Sequence, residues 1–430
     1  MVLWITALIT VMVVLGCTQK QQKDDEIEFM VEPVSGGKSL QISKYVKEKQ
    51  IVNIPPQLYQ FPVTHIGDKA FMKKNLINAT IAGNITSIGE SAFESNLLIK
   101  VTIGNKVTSI GNKAFRENLL TNIVIPNSVT SIGESTFEKN QLTSVTIGKG
   151  LTSIEKGVFK ENQLTSVAIP NNITSIGETA FEKNQLTSVT IGKGVTSIGN
   201  GAFWENQLTN IIIPNNVTSI GSWAFGKNQL TSVTLPASVL NIGTGAFSGN
   251  ASLAMINVAS DNPNYSAVDG VLYNKEGTAL LLSPAGKSGT VVIPASITTI
   301  GEGAFMDNKI NGNLIIPGTV TSIGDIAFSG NQFTSIDIPN SVTSIGNSVF
   351  SGNKLTSITI PASVKTIGDF AFNDNDLTSI TIGSDVIISE RNPFGSYRFV
   401  TYYTRNNKKA GTYTRNTDRW GDYYWTYSAR

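Results

Sequence analysis

Cysteine and histidine, the thiol nucleophile and the imidazole base and metal ligand, occur once each in this sequence: Cys17 and His65. A Ser-His-Asp or Cys-His site needs a histidine that the fold sets beside the nucleophile. His65 stands alone near one end of the pattern described below, at a position that is Ser in most copies, so it reads as a surface variant. A single cysteine excludes an internal disulfide. Asp261 and Asp269 bring calcium to mind but lack the ligand spacing of a known loop. Strings such as Gly199-Asn200-Gly201 precede no lysine placed to hold a phosphate. Glu138 and Lys139, which follow Phe137, look like part of a solvated rim rather than half of an acid–base pair. These residues predict no catalytic group, no metal and no cofactor.

Short hydroxyl side chains recur instead. Thr143, Ser144 and Thr146 return as Thr187, Ser188 and Thr190, and again as Thr231, Ser232 and Thr234. They are neutral and laterally regular, and a repeated face of this kind is a candidate for protein binding. Threonine also simply suits a solvated strand, so the same pattern fits a plain structural face.

Regular spacing of the face requires a regular scaffold. Phenylalanine falls at 71, 93, 115, 137, 159, 181, 203, 225 and 247, each step being 22 residues. It resumes at 305, 328, 350 and 372, with one step of 23, and Phe394 ends a worn copy. Such a period is the mark of stacked supersecondary units. In one copy Leu142, Val145 and Ile147 form an L-x-x-L-x-L pattern. Val145 and Ile147 share one face of a short strand while Thr146 faces the other way. Gly148 then breaks the strand, and Pro170, Pro214, Pro236, Pro339 or Pro361 does so in sister copies. A second β-branched pair such as Val195 and Ile198 predicts another short strand. Gly199 is read as permitting a tight bend. Ala202 and Phe203 then pack inward from a helical or 3₁₀ turn. An asparagine three residues after each phenylalanine from Phe93 to Phe372, Asn184 for example, is expected to satisfy turn backbone groups. Coils stacked about 4.8 Å apart would superpose each residue on its twin. The fold class predicted is a mainly β solenoid, a rod of 22-residue coils, with a small C-terminal β module.

The unit Leu186 to Phe203, with its I-G-x-x-A-F ending, resembles the BspA-like leucine-rich repeats of bacterial surface proteins. The likeness covers about Ser39 to Phe394, and repetition makes it specific. One departure is that the family often has cysteine where this chain has asparagine. The resemblance implies a surface-exposed protein that binds host or bacterial surface proteins, and possibly glycans. At the amino terminus, the apolar run Val2–Leu15 is too short to span a membrane. Val14-Leu15-Gly16-Cys17 resembles the bacterial lipobox, which implies lipidation of Cys17 and attachment to the envelope through that lipid alone.

The domains read as follows: 1–16 a signal peptide, 17–38 a lipidated cysteine and polar tether, 39–394 the solenoid, 395–430 a tail. A hairpin insert at about 259–290 turns near Asn274 to Gly277. From Arg391 onward there are eight Lys or Arg against two Asp, and seven of the eleven tyrosines, although the whole chain nets only +2. Three strand-like runs appear there: Ser396 to Thr404, Gly411 to Arg415 and Tyr423 to Ser428. The tail is expected either to seal the last coil or to bind through Tyr402, Tyr403, Lys408, Lys409, Tyr413, Trp420 and Trp425. A basic tail on an exported protein does not point to nucleic acid. Two alternatives to a binding protein are an envelope spacer that displays its tail and, more weakly, a glycan-acting enzyme.

Overall fold

The computed structural model describes residues 28–81, 83–287, 292–418 and 422–429. Cys17, the signal segment and Trp420 lie outside them. The described chain winds into a solenoid, and most coils contribute two short parallel strands and a turn. In one coil the first strand is Ser188–Thr190 and the second is Ser197–Ile198. Strand partners are equivalent residues of neighbouring coils: Ser166 pairs with Ser188, and Ser197 pairs with both Ser175 and Ser219. The period in sequence has become the register in space.

The far side of the coil follows a two-residue rhythm. Ala202 N donates to Gly199 O and Trp204 N to Gly201 O, both bonds of the 3₁₀ type. The turn never lengthens into a helix, because Gly201 and Glu205 take left-handed φ values of 59° and 54°. Between those bonds, the N–H groups of Gly201, Phe203 and Glu205 reach Ser222, Ala224 and Gly226 of the next coil. The turn side is therefore laced to its neighbour as closely as the strands are.

Gly199 does not supply the bend expected of it; the left-handed residue lies two positions on, at Gly201. The reason for glycine is proximity. A Cβ on Gly199 would lie 2.6 Å from Glu178 N and 2.7 Å from Gly177 C, both backbone atoms of the preceding coil. Gly111, Gly177 and Gly221 meet the preceding coil's backbone in the same way. A left-handed φ disfavours side chains without excluding them, so Ser91, Ser135 and even Trp223 occupy the Gly201 position.

The asparagines behave as expected. Asn184 Nδ2 donates to Phe181 O of its own coil at 3.1 Å and to Phe159 O of the coil before at 2.9 Å. Its Oδ1 accepts from Leu164 N at 3.0 Å. One buried amide thus satisfies three backbone groups in two coils. The phenylalanine rings stack with centroids between 4.8 Å (Phe71 and Phe93) and 5.9 Å (Phe137 and Phe159), nearly parallel.

Both ends of this column are closed by aromatics. At the start, Tyr45 stacks on Phe71 and Phe29 meets Phe71 edge-on. Phe29 belongs to the strand Phe29–Val34, which pairs antiparallel with Ser39–Tyr45. The tether assigned to 17–38 therefore runs too far, since its last residues are part of the folded cap. At the other end Phe399 meets Phe394 edge-on at 4.8 Å, backed by Tyr403, Tyr413 and Trp425. Phe399 lies on an α-helix, Tyr397–Arg405, where a strand was expected over Ser396 to Thr404. The aromatic and β-branched composition favoured a strand. Two local features decide otherwise: Ser396 caps the helix by accepting from Phe399 N, and Phe399 and Tyr403, four residues apart, share the buried face. The strands Gly411–Thr417 and Tyr423–Ala429 then extend the first-strand sheet of the last coils, through Ser379–Ile382.

The insert interrupts the column. Tyr265–Val268, Val271–Asn274 and Ala279–Leu282 form an antiparallel meander, and its turn at Asn274 to Gly277 lies where expected. Its last strand then pairs parallel with Thr299–Ile300 and so rejoins the solenoid. In that coil Ser283 takes the phenylalanine's place: its N–H donates to Ala304 O, and its carbonyl accepts from Asn308 Nδ2. Phe71 to Phe247 and Phe305 to Phe394 are consequently two separate stacks.

Phe181 is fully buried between Phe159 and Phe203, each at 5.3 Å. Phe181→Ala should lower stability by about 3–5 kcal/mol, read as a shift of the denaturant midpoint. Gly199→Ala should cost about 1–3 kcal/mol by forcing two coils apart. The same change at Gly83, where a Cβ meets nothing within 4 Å, should leave the midpoint nearly unmoved.

Candidate functional site

Alternation along the first strand sets what this face presents. Val233 is buried, and Val145 and Val189 are partly buried. Their neighbours Ser144, Thr146, Ser188, Thr190, Ser232 and Thr234 are exposed, as are Thr143, Thr187 and Thr231. All nine predicted residues thus lie on one solvent-facing side, in register across coils. They are not equivalent. Thr143 Oγ1 donates to Thr121 O, and Thr187 Oγ1 to Thr165 O, each at 3.2 Å. Those hydroxyls tie one coil to the previous one. A second row does the same beside the other strand, where Thr174, Thr196 and Thr218 each donate to the carbonyl 22 residues earlier. Thr146, Thr190 and Thr234 take the last exposed position of the strand.

That position carries a feature the sequence reading passed over. Where threonine is the commonest residue, four coils have a large aliphatic one: Val124 is 60% exposed, Ile212 82%, Val292 80% and Ile315 62%. Val292 and Ile315 are bridge partners in adjacent coils, so they form a contiguous apolar pair. Their signal was present as I-V-I, I-I-I, V-V-I and L-I-I in place of V-T-I. It is masked because the inward-facing residues on either side are aliphatic too.

The tail divides differently from expectation. Tyr403, Tyr413 and Trp425 are buried and close the end of the core, so they are no contact surface. Tyr403 OH donates to Gly383 O at 2.8 Å and accepts from Val386 N at 3.1 Å, and burial pushes its pKa up. Tyr413 OH donates to Lys409 O. Tyr402 is half-buried, edge-on to Tyr413 at 6.1 Å. Lys408 is partly covered and Lys409 exposed, both in the turn after the helix. Among the described residues of the tail, the exposed aromatics are Tyr397, Tyr423 and Tyr424, none of which was singled out. Arg415 lies over the Tyr423 ring at 4.8 Å and Arg398 donates to Tyr423 O, so this corner is ordered and cationic.

His65 contacts Thr64 Oγ1 at 2.8 Å and pairs in the second-strand ladder with Ser87. The charged rim forms ion pairs between coils: Arg116 joins Glu94 and Glu138 of its two neighbours, each at 3.1 Å. Among the described residues no group of three or more His, Cys, Asp or Glu could hold a metal ion. No helix among them is long and apolar enough to cross a membrane.

Parallel strands at a constant short period, an inward L-x-x-L-x-L row and an asparagine ladder define a leucine-rich-repeat solenoid. The chain belongs to the BspA type leucine rich repeat family, which matches it in six copies over residues 64–186, 174–267 and 286–399. It is similar in structure to a leucine rich cell surface protein from Faecalibacterium prausnitzii, with a TM-score of 0.54 and 25% identity over 89% of this chain and 94% of that one. The pneumococcal vaccine antigen PcpA matches at 22% identity with a TM-score of 0.47, over 85% of this chain and 82% of its own. No curated protein sequence matches the chain.

If the tail residues are interior as described, Trp425→Ala should expose the last coil and lower the melting temperature. Tyr424→Ala, at an exposed site, should leave melting unchanged.

Proposed function

We propose that this chain is a lipid-anchored protein of the bacterial surface whose first-strand face binds protein on a host matrix or another cell. One observation carries the reading: a solvent-facing row of Thr and Ser in strict register, broken by exposed Val124, Ile212, Val292 and Ile315. Isolated exposed aliphatics are ordinary, but adjacent ones in a polar field mark a contact patch. Repeat proteins bind through such extended faces. Family membership and the likeness to a leucine rich cell surface protein of Faecalibacterium support the location. The anchor rests on Cys17 and the lipobox-like residues before it.

A second reading, a spacer that displays its terminal module, is favoured by exposed Tyr397, Tyr423 and Tyr424 beside Arg398 and Arg415. Deleting the tail cannot separate the two, because it would uncover Phe394 and Ile382. Point variants can. Capture from extracellular matrix should fall about tenfold or more with Val292→Glu and Ile315→Glu together, and stay unchanged with Tyr423→Ala and Tyr424→Ala. The opposite result makes the chain a spacer. For the anchor, a palmitate analogue should label the wild type and not Cys17→Ser; equal labelling of both removes the lipid from the proposal.

A further inference from the structure

The two ends of the solenoid protect their outermost strands differently. At the start the outer strand of one sheet is Phe29–Val34, which carries Glu32 and Pro33, and that of the other is Ile51–Asn53, only three residues long. A charge and a residue without an N–H both discourage another strand from adding there. At the other end the outer strand is Tyr423–Ala429, paired among the described residues only with Gly411–Thr417. Its sequence, Tyr-Tyr-Trp-Thr-Tyr-Ser-Ala, holds no charge and no proline.

The free backbone groups on this edge follow from its neighbours. Asp418 N donates to Asp422 O, within the pair of strands, whereas Arg415 N donates away from it, to Thr378 O. Antiparallel residue pairs alternate between bonded and non-bonded. Asn416 with Tyr424 and Thr414 with Thr426 are therefore bonded pairs. Trp425 and Tyr427 aim their N–H and C=O outward. Tyr423 aims its carbonyl outward as well, and Arg398 Nη1 already occupies it at 2.6 Å.

We propose that this edge pairs antiparallel with the same strand of a second copy, in register about Thr426. That register sets Tyr423 against Ala429, Tyr424 against Ser428, and Trp425 against Tyr427. The bulky half of the strand meets the small half, and no like charges meet. Trp425 and Tyr427 of the two copies exchange the N–H and C=O groups that neither can satisfy within its own sheet. The contact is isologous and closes on itself. Pairing this edge with an opening strand of another copy would propagate into a filament; Glu32 and Pro33 oppose it on one opening strand and the three-residue length of Ile51–Asn53 on the other. Two solenoids joined in this way point their opening strands in opposite directions, which, on the lipid-anchored reading proposed above, suits a contact between two cells.

The test uses the full chain carrying Cys17→Ser, so that no lipid contributes to association. Sedimentation velocity over micromolar concentrations should show a monomer–dimer equilibrium. Adding Thr426→Lys sets two like charges opposite each other only in the paired form and should weaken the dimer about tenfold or more. Thr426 occupies a non-bonded pair across the axis, where Cα atoms lie about 4.5 Å apart. Thr426→Cys should therefore oxidise to a covalent dimer, while Met30→Cys on the exposed opening strand should not. A monomer at every concentration, or Thr426→Cys crosslinking no better than Met30→Cys, overturns the proposal. The crosslink keeps it testable even if Thr426→Lys disturbs the cap.

Discussion

The structure depends on how closely the backbone of each coil approaches that of the next. At Gly199 a Cβ would lie 2.6 Å from the backbone of the preceding coil, and most of its equivalents are as tight, although Glu155 takes that place in one coil. Everything else in the repeat conforms to that distance. The rings of Phe71 to Phe247 can stack because their backbones already run at ring-stacking separation. The asparagine amides can span two coils because a side chain of that length reaches the carbonyl on either side. The threonine hydroxyls reach back one coil for the same reason. A change that widens one gap therefore loosens several unlike interactions together.

Close stacking leaves each end as an unfinished surface. Parallel ring stacking continues indefinitely unless something ends it, and this chain ends it with edge-on contacts from Phe29 and from Phe399. The insert shows how much irregularity the column tolerates. Ser283 keeps the backbone bonds of the missing phenylalanine while giving up its ring. The backbone ladder is thus continuous where the aromatic one is not, so the peptide groups and not the rings set the register.

Regularity also sorts residues by role. Phe, Ala, Ile, Asn and Gly of each coil are committed to the interior or to the gap between coils. Function is left to positions that can vary without touching that gap, chiefly the last exposed residue of the first strand. Variation there from Thr146 to Ile212, Ile315 or Asp337 costs the scaffold little. It is the position where a surface can acquire specificity at no structural expense.

The sequence by itself determined the period, the inward residues, the amide ladder, the place of the insert and the hydroxyl face. Each of these repeats, and a repeated residue in a stacked coil must meet its own copy. Only the tertiary structure decided the parts that occur once. The tail segment Ser396 to Thr404 is a helix whose buried face sets Phe399 across Phe394, a placement that composition could not convey. Tyr403, Tyr413 and Trp425 turned inward, and Tyr397, Tyr423 and Tyr424 outward, because the last coil has a core to seal on one side only. The glycine after each isoleucine was legible as a requirement but not as a reason: its closest contacts lie in the preceding coil, roughly a period away along the chain.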